Sequence, residues 1–271
     1  MSPIITLLTD FGIASTYPAQ MKGVILERCP SARLVDLSHE VPRHDVRTAA
    51  FMLVSAAPAF PEGTVHLAVV DPGVGGSRRV LAAEADGHLY VAPDNGVLTL
   101  VTQGGRLTGP PPSRARVVAV ENKVHFRRDV SSTFHGRDIF APVAATLAGG
   151  TALDSLGPEV ETIERFPLPK PQRHDNTIRG QVLYVDPFGN LVTNVPGEML
   201  EPFDRSRIEV VVSGAVIRTL CSAYSEVAPG MLLAYIGSAG LLEVAVNRQS
   251  ASVRLAAGVG TRVAVTLPEA T

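Results

Sequence analysis

TVHLAVVDPGVGGSRR, residues 64–79, opens with the apolar run 65–70 and stops at Asp71-Pro72. Gly73, Gly75 and Gly76 follow, then Arg78 and Arg79. The run reads as a buried strand that ends on a carboxylate, turns on glycines and brings back two cations. In α/β folds, ligands sit outside the carboxyl ends of such strands. The same residues also fit a glycine turn with a surface ion pair, and this stretch alone leaves both readings open.

Outward from it, the first half of the chain alternates strands and helices. Residues 4–9 read as a buried strand ending at Asp10-Phe11-Gly12. Residues 18–28 have helical spacing, with Met21, Val24 and Ile25 on one face and Pro30 as a stop. A strand is expected at 33–37, and Asp45 suits the N-cap of a helix running to Ala57. Residues 80–84 and 89–92 form a strand pair around the Asp86-Gly87 turn signal, and Pro93-Asp94-Asn95-Gly96 reads as a turn. A loop is expected at 110–112 and a helix at 138–148, with Gly149-Gly150 ending it. This alternation predicts an α/β N-terminal domain with a largely parallel sheet over residues 1–165.

Residues 166–177 carry alternating prolines and read as an extended, Pro-rich linker. Beyond it, short β-branched runs at 179–185, 191–195, 208–212, 215–220, 232–236, 241–246, 252–255 and 262–267 are bounded by turn residues. They predict a smaller all-β, barrel-like C-terminal domain over 178–271.

Composition narrows the function classes. Of 271 residues, 45% are hydrophobic and 18% charged, enough for a sizeable core and unlike a disordered chain. A formal net charge of -2, no Trp and 5% aromatics give no case for nucleic acid or an anionic membrane as partner. Cys29 and Cys221 lack metal spacing and read as buried thiols in a reducing compartment. The N-terminus has no basic segment and meets Asp10 early, so a signal peptide is not expected and a cytoplasmic location is.

Polar residues cluster after several strands: Asp10; Asp36 with Ser38 and His39; Asp71 with Arg78; Asp94-Asn95. Thr133-Phe134-His135-Gly136-Arg137-Asp138 precedes a helix. In a parallel sheet these ends share one edge, so the clusters could converge. His39 reads as a loop cap and Asp138 as a helix cap, while His135, beside Gly136 at a helix entrance, suits access by a small molecule. A dinucleotide fingerprint fails because Arg78 stands where its third glycine belongs. No P-loop and no G-x-S-x-G elbow occur. Asp10, Asp36, His39, Asp71 and His135 lack tight ligand spacing, so no metal is expected.

TLLTDFG (6–12), QMKGVI (20–25), VDLSHEVP (35–42), GTVHLAVVDPGVGGSRR (63–79), VAPDNGVLT (91–99), STFHGRDIFAPVAA (132–145), VDPFGNLVTN (185–194) and AYIGSAGLLEVAVN (234–247) occur in this order. Together they resemble the S-adenosyl-L-methionine hydroxide adenosyltransferases, relatives of the fluorinase and chlorinase enzymes. The resemblance covers nearly the whole chain. It implies SN2 attack of water or hydroxide on the ribose 5′ carbon of S-adenosyl-L-methionine, giving adenosine and L-methionine without a cofactor. It implies Asp71, Arg78 and His135 as the catalytic set, with Arg79 a rival to Arg78 and the proton acceptor left open. It implies Asp10 for the ribose diol, Phe188 and Asn190 as ligand contacts, Ser238 and Glu243 near the methionine end, and Asn247 near adenine. A homotrimer with sites at subunit interfaces is implied too. The halogenating relatives carry Tyr where this chain has Asp71, Tyr-Ser where it has His135-Gly136, and Arg where it has Ala239. The departures at Asp71 and Gly136 point away from a halogenase, and Ala239 bears instead on how the methionine carboxylate is held. A non-catalytic binding protein is the other alternative, and the retained Asp71, Arg78 and His135 point away from that.

Overall fold

The computed structural model describes residues 2–103, 115–218 and 220–268. The loop expected at 110–112 lies outside the described residues. The chain divides into two compact units, residues 1–166 and 167–271.

The first unit is built on a six-stranded mixed sheet of order β2-β1-β3-β5-β4-β6. The strands are β1 Ile4–Thr9, β2 Arg33–Ser38, β3 Val65–Val69, β4 Val80–Ala85, β5 His88–Pro93 and β6 Arg116–Ala119. β2, β1, β3 and β5 pair in parallel, and β4 runs antiparallel to both β5 and β6. β4 and β5 form the expected hairpin, with positive φ at Asp86 (48°) and Gly87 (77°), as a tight primed turn requires.

The helices are α1 Tyr17–Arg28, α2 Val46–Ala56, α3 Thr99–Gln103 and α4 Ala141–Ala148. Ile5, Leu7, Val65, Leu67 and Val69 meet Met21 and Ile25 of α1 and Val143 of α4 in one core. Each such fully buried aliphatic side chain contributes about 2 kcal/mol relative to exposure. α2 starts as expected, the Asp45 carboxylate accepting from the Thr48 N–H at 2.9 Å.

Between β1 and β3 the strand order reverses, because the chain leaves β1 for β2 on one side and returns to β3 on the other. Thr9 pairs with Val69 there. Asp10 and Asp71 follow these two strand ends, so both stand at the sheet's switch point, where α/β sheets open a crevice.

Alternate residues on β1, β3 and β5 build a polar layer within the sheet. His66 is fully buried, its Nδ1 bonded to the Thr6 hydroxyl at 2.8 Å. Tyr90 stacks on its ring, with His88 and Phe60 edge-on. Burial, and secondarily His88, push the His66 pKa down to about 3.

The second unit holds β7 Gln172–His174, β8 Thr177–Val185, β9 Leu191–Pro196, β10 Glu209–Val212, β11 Ala215–Ile217, β12 Leu220–Cys221, β13 Leu232–Ile236, β14 Leu241–Val246 and β15 Arg262–Thr266. Their order, β11-β10-β15-β8-β9-β14-β13-β12 with β7 added on β8, makes a nearly closed, barrel-like sheet. β8 turns the corner: its first half pairs with β15 and its second with β9, with a register shift between Val182 and Tyr184.

Three readings change here. Residues 252–255 are not a strand but part of a short helix, α5 Ala251–Leu255. The Ser250 hydroxyl caps it by accepting from the Val253 N–H, and Val253, 82% exposed, has no sheet neighbour to favour extension. The run 215–220 is split, because β11 pairs with β10 and β12 pairs in parallel with β13. Gln172–His174, inside the stretch read as linker, forms β7 on the edge of β8. Among the described residues, no helix is long and apolar enough to cross a membrane.

Candidate active site

Beyond β3 the loop 72–77 doubles back. Gly75 lies at φ 79°, and a Cβ there would stand 2.6 Å from the Ser132 carbonyl. Only glycine lets this loop lie against residues 131–133. The turn returns Arg78 to Asp71. Arg78 Nε donates to Asp71 Oδ1 at 3.0 Å and Oδ2 at 2.9 Å, and Nη2 also donates to Oδ2. The two side chains are 11% and 5% exposed, so this pair is largely removed from water. The guanidinium also lies over the Phe140 ring, 5.3 Å from its centre.

Arg78 Nη2 makes a second bond, to His135 Nδ1 at 2.9 Å. A guanidinium only donates, so Nδ1 accepts, and a neutral His135 carries its hydrogen on Nε2. Burial, then the nearby Arg78 charge, pushes the His135 pKa below its ordinary value, against the opposing pull of Asp71 and Asp138. Arg79 goes elsewhere. Its Nε donates to Asp94 at 2.7 Å and its Nη2 to the Thr162 carbonyl at 2.7 Å.

His135 stands at the start of a π-helical turn, Gly136–Phe140, that leads into α4. Such turns recur at functional sites. Asp138 is therefore not the simple helix cap expected of it. It is fully buried, accepting from the Ser131 N–H at 3.0 Å and from Arg137 Nε at 2.7 Å. These bonds tie loop 131–133 to the turn that carries His135. They also hold the Asp138 pKa below the usual carboxylate range although burial pushes the other way.

Asp10, Asp71 and His135 line one cavity of about 720 Å³, together with Phe11, Tyr17 and Phe134. Asp10 Oδ2 accepts from the His44 N–H at 2.9 Å, and His44 reaches that position with φ at 66°. The other clusters do not converge here. Asp36 binds Lys22 at 2.6 Å and His39 at 2.9 Å, and Asp94 binds Arg79 and the Glu164 N–H.

In the second unit, Phe188 and Asn190 share a cavity of about 480 Å³ with Tyr224 and Arg248. Phe188 is 81% exposed, while the Asn190 amide is held by Asp186 at 2.7 Å. Ser238 is exposed in the loop joining β13 and β14. Glu243 accepts from the Tyr235 hydroxyl, which also meets Tyr224, and burial raises its pKa. Asn247 donates to the Tyr224 and Val227 carbonyls. These last three do not line the Phe188 cavity. Sequence reasoning passed over the His44 clamp on Asp10 and the Phe11–Tyr17–Phe134 cluster, because no periodicity or spacing links the members of either.

Residues 5–157 match the SAM hydroxide adenosyltransferase N-terminal domain and residues 180–264 its C-terminal domain. The chain is 42% identical over 268 residues to the (R)-S-adenosyl-L-methionine hydrolase of Salinispora tropica, with 98% of each chain covered. A solved structure of an uncharacterized conserved protein from Thermotoga maritima is similar with a TM-score of 0.87 at 37% identity, over 97% of this chain and 99% of that one. The fluorinase of an Actinoplanes species is more distant, 28% identical over 280 residues and 91% of each chain. With both halves of the sequence matched, the chain belongs to the SAM hydroxide adenosyltransferase family.

Proposed function

We propose that this protein hydrolyses S-adenosyl-L-methionine to adenosine and L-methionine by attack of water at the ribose 5′ carbon. The observation that carries this is the Asp71–Arg78–His135 constellation on the cavity at the switch point, in a chain of this family.

The reaction is an in-line displacement. An O–C5′ bond forms, the C5′–S bond breaks, and its electron pair stays on sulfur as a neutral thioether. The sulfonium is already an activated leaving group, so the step as written needs no metal or organic cofactor. The protein has to position a water and stabilise the charge that develops on it. With Nδ1 committed to Arg78, the Nε2–H of His135 donates a hydrogen bond and fixes the water's orientation. Asp71 is the acceptor of the three. Once the C–O bond forms, the protonated alcohol is a strong acid, and it passes its proton through Asp71 to solvent. Asp10 holds the ribose diol with the carboxylate oxygen not used by His44.

Phe188, Asn190, Ser238, Glu243 and Asn247 belong to the same reading as contacts from the second unit. A homotrimer goes with it, supported by candidate ligand residues in both units. A cytoplasmic location goes with it as well, since both cysteines are free, buried thiols. The relatives' name specifies the (R) epimer, and we extend that preference, which falls at the sulfonium because L fixes the α-carbon.

Incubation with each sulfonium epimer in the presence of chloride, followed by mass spectrometry, tests the reading. Equimolar adenosine and methionine, formed faster from the (R) epimer, are expected. A chlorinated nucleoside as main product, or no product from either epimer, would sink it.

A further inference from the structure

The mechanism above leaves three aromatic rings of the first cavity unused. Phe11, Tyr17 and Phe134 all line it. Their centres are 5.8 Å (Phe11–Tyr17), 5.9 Å (Phe11–Phe134) and 4.9 Å (Tyr17–Phe134) apart, at interplanar angles of 76°, 77° and 60°. Three rings packed edge to face at these spacings form an aromatic corner in the cavity wall. An aromatic face attracts a cation held within about 6 Å of its centre, so a sulfonium brought against this wall is within reach of the rings.

The surroundings fit that use. Gly136 admits the rings to this approach. A Cβ there would meet Phe11, Phe134 and Met21 at 3.3 Å each. Arg137 already stands over Phe134, 5.0 Å from its centre, so one face of this cluster draws a cation. It is paired with the buried Asp138, and among the described residues no cation stands over Phe11 or Tyr17. Of the lining carboxylates, Asp71 is held by Arg78 and Asp10 by the His44 N–H. The Asp71 charge is met by Arg78, while Asp10 keeps its charge and its second oxygen is the one assigned to the ribose diol.

Resting on the hydrolase reading, we infer that Phe11, Tyr17 and Phe134 are the specificity element that recognises the positive charge of the sulfonium. The charge argument has a kinetic consequence. Sulfur carries a full positive charge in the bound substrate and loses it as the C5′–S bond breaks. The ring faces therefore stabilise the ground state more than the transition state, and contribute to KM and not to kcat. They also release the product, because methionine sulfur is neutral.

Tyr17 is the residue to change, being 49% exposed at the start of α1 and outside the buried core. Tyr17→Leu is expected to raise KM about five- to tenfold and leave kcat unchanged or higher. Phe134→Leu should act in the same direction. Binding is read in the His135→Ala background, so that substrate is not consumed. There, Tyr17→Leu should erase most of the preference for S-adenosyl-L-methionine over neutral S-adenosyl-L-homocysteine, and Tyr17→Phe should keep it. A Tyr17→Leu protein that weakens both ligands equally, or loses kcat at constant KM, overturns the inference. So does wild-type protein that hydrolyses the substrate yet binds the two nucleosides equally. Wild-type protein that binds neither overturns the hydrolase reading, and this inference with it.

Discussion

The Arg78→Met variant is expected to turn over S-adenosyl-L-methionine about 100- to 1,000-fold more slowly, with substrate affinity changed less than about fivefold. Among the described residues, Arg78 is the one side chain bonded to both Asp71 and His135. Without it the carboxylate stays buried without its partner, and the imidazole no longer has its tautomer fixed. Leaving one charge of such a pair behind also destabilises the fold, by about 3 kcal/mol. Arg78→Lys separates the two effects. It keeps the charge but loses the two-pronged contact, so it should restore stability more than turnover.

The pH profile gives a second check on the same bond. The His135 pKa lies below its ordinary value, so the imidazole is neutral through neutral pH and activity is flat there. Acid protonates Nδ1 and sets an N–H against the Arg78 donor, so the acid limb falls below pH 6.5. Removing the Arg78 charge removes one cause of the depression, and the limb of the residual activity should move up in pH. Unchanged kcat and an unmoved limb in Arg78→Met would remove Arg78 from the mechanism.

His66 predicts the largest pH effect on stability. Its pKa is about 3 in the folded protein, against an ordinary 6.5 in the unfolded chain. Above pH 6.5 both states are neutral at this residue, and it contributes nothing to the pH dependence. As pH falls from 6.5 toward 3, the unfolded chain binds a proton that the native state refuses, and stability drops by about 1.4 kcal/mol per pH unit. From pH 7 to pH 4 that is a loss of about 3 kcal/mol from this one residue. His66→Gln removes the titration. Urea unfolding at the two pH values should therefore show wild type losing about 3 kcal/mol more than His66→Gln. Equal losses would mean that the His66 ring takes up a proton in the folded state.

Much of the first unit was legible because burial and turn chemistry coincide in it. The run 65–70 ends on Asp71 at the sheet's edge, and Asp86-Gly87 supplies the two positive φ values its hairpin needs. The choice between Arg78 and Arg79 was not legible. Adjacent residues leaving a glycine loop point to opposite sides, and only their partners, Asp71 and Asp94, show which goes where. Asp138 looked like a cap because capping is local, whereas its donors, Ser131 and Arg137, are gathered by a π-helical turn. The short helix at 251–255 was read as strand from Val253, and the Ser250 cap just before it was the signal that competed. The aromatic corner was invisible for a different reason. Phe11, Tyr17 and Phe134 come from two distant segments, and no periodicity links them.

The central claim is that a water oxygen ends up on the 5′ carbon of the nucleoside. Turnover in water enriched in 18O, with both products analysed by mass, tests it most directly. The account predicts one 18O in adenosine, at the 5′ oxygen, and none in methionine. Adenosine without the label, or label in the amino-acid product, would contradict it.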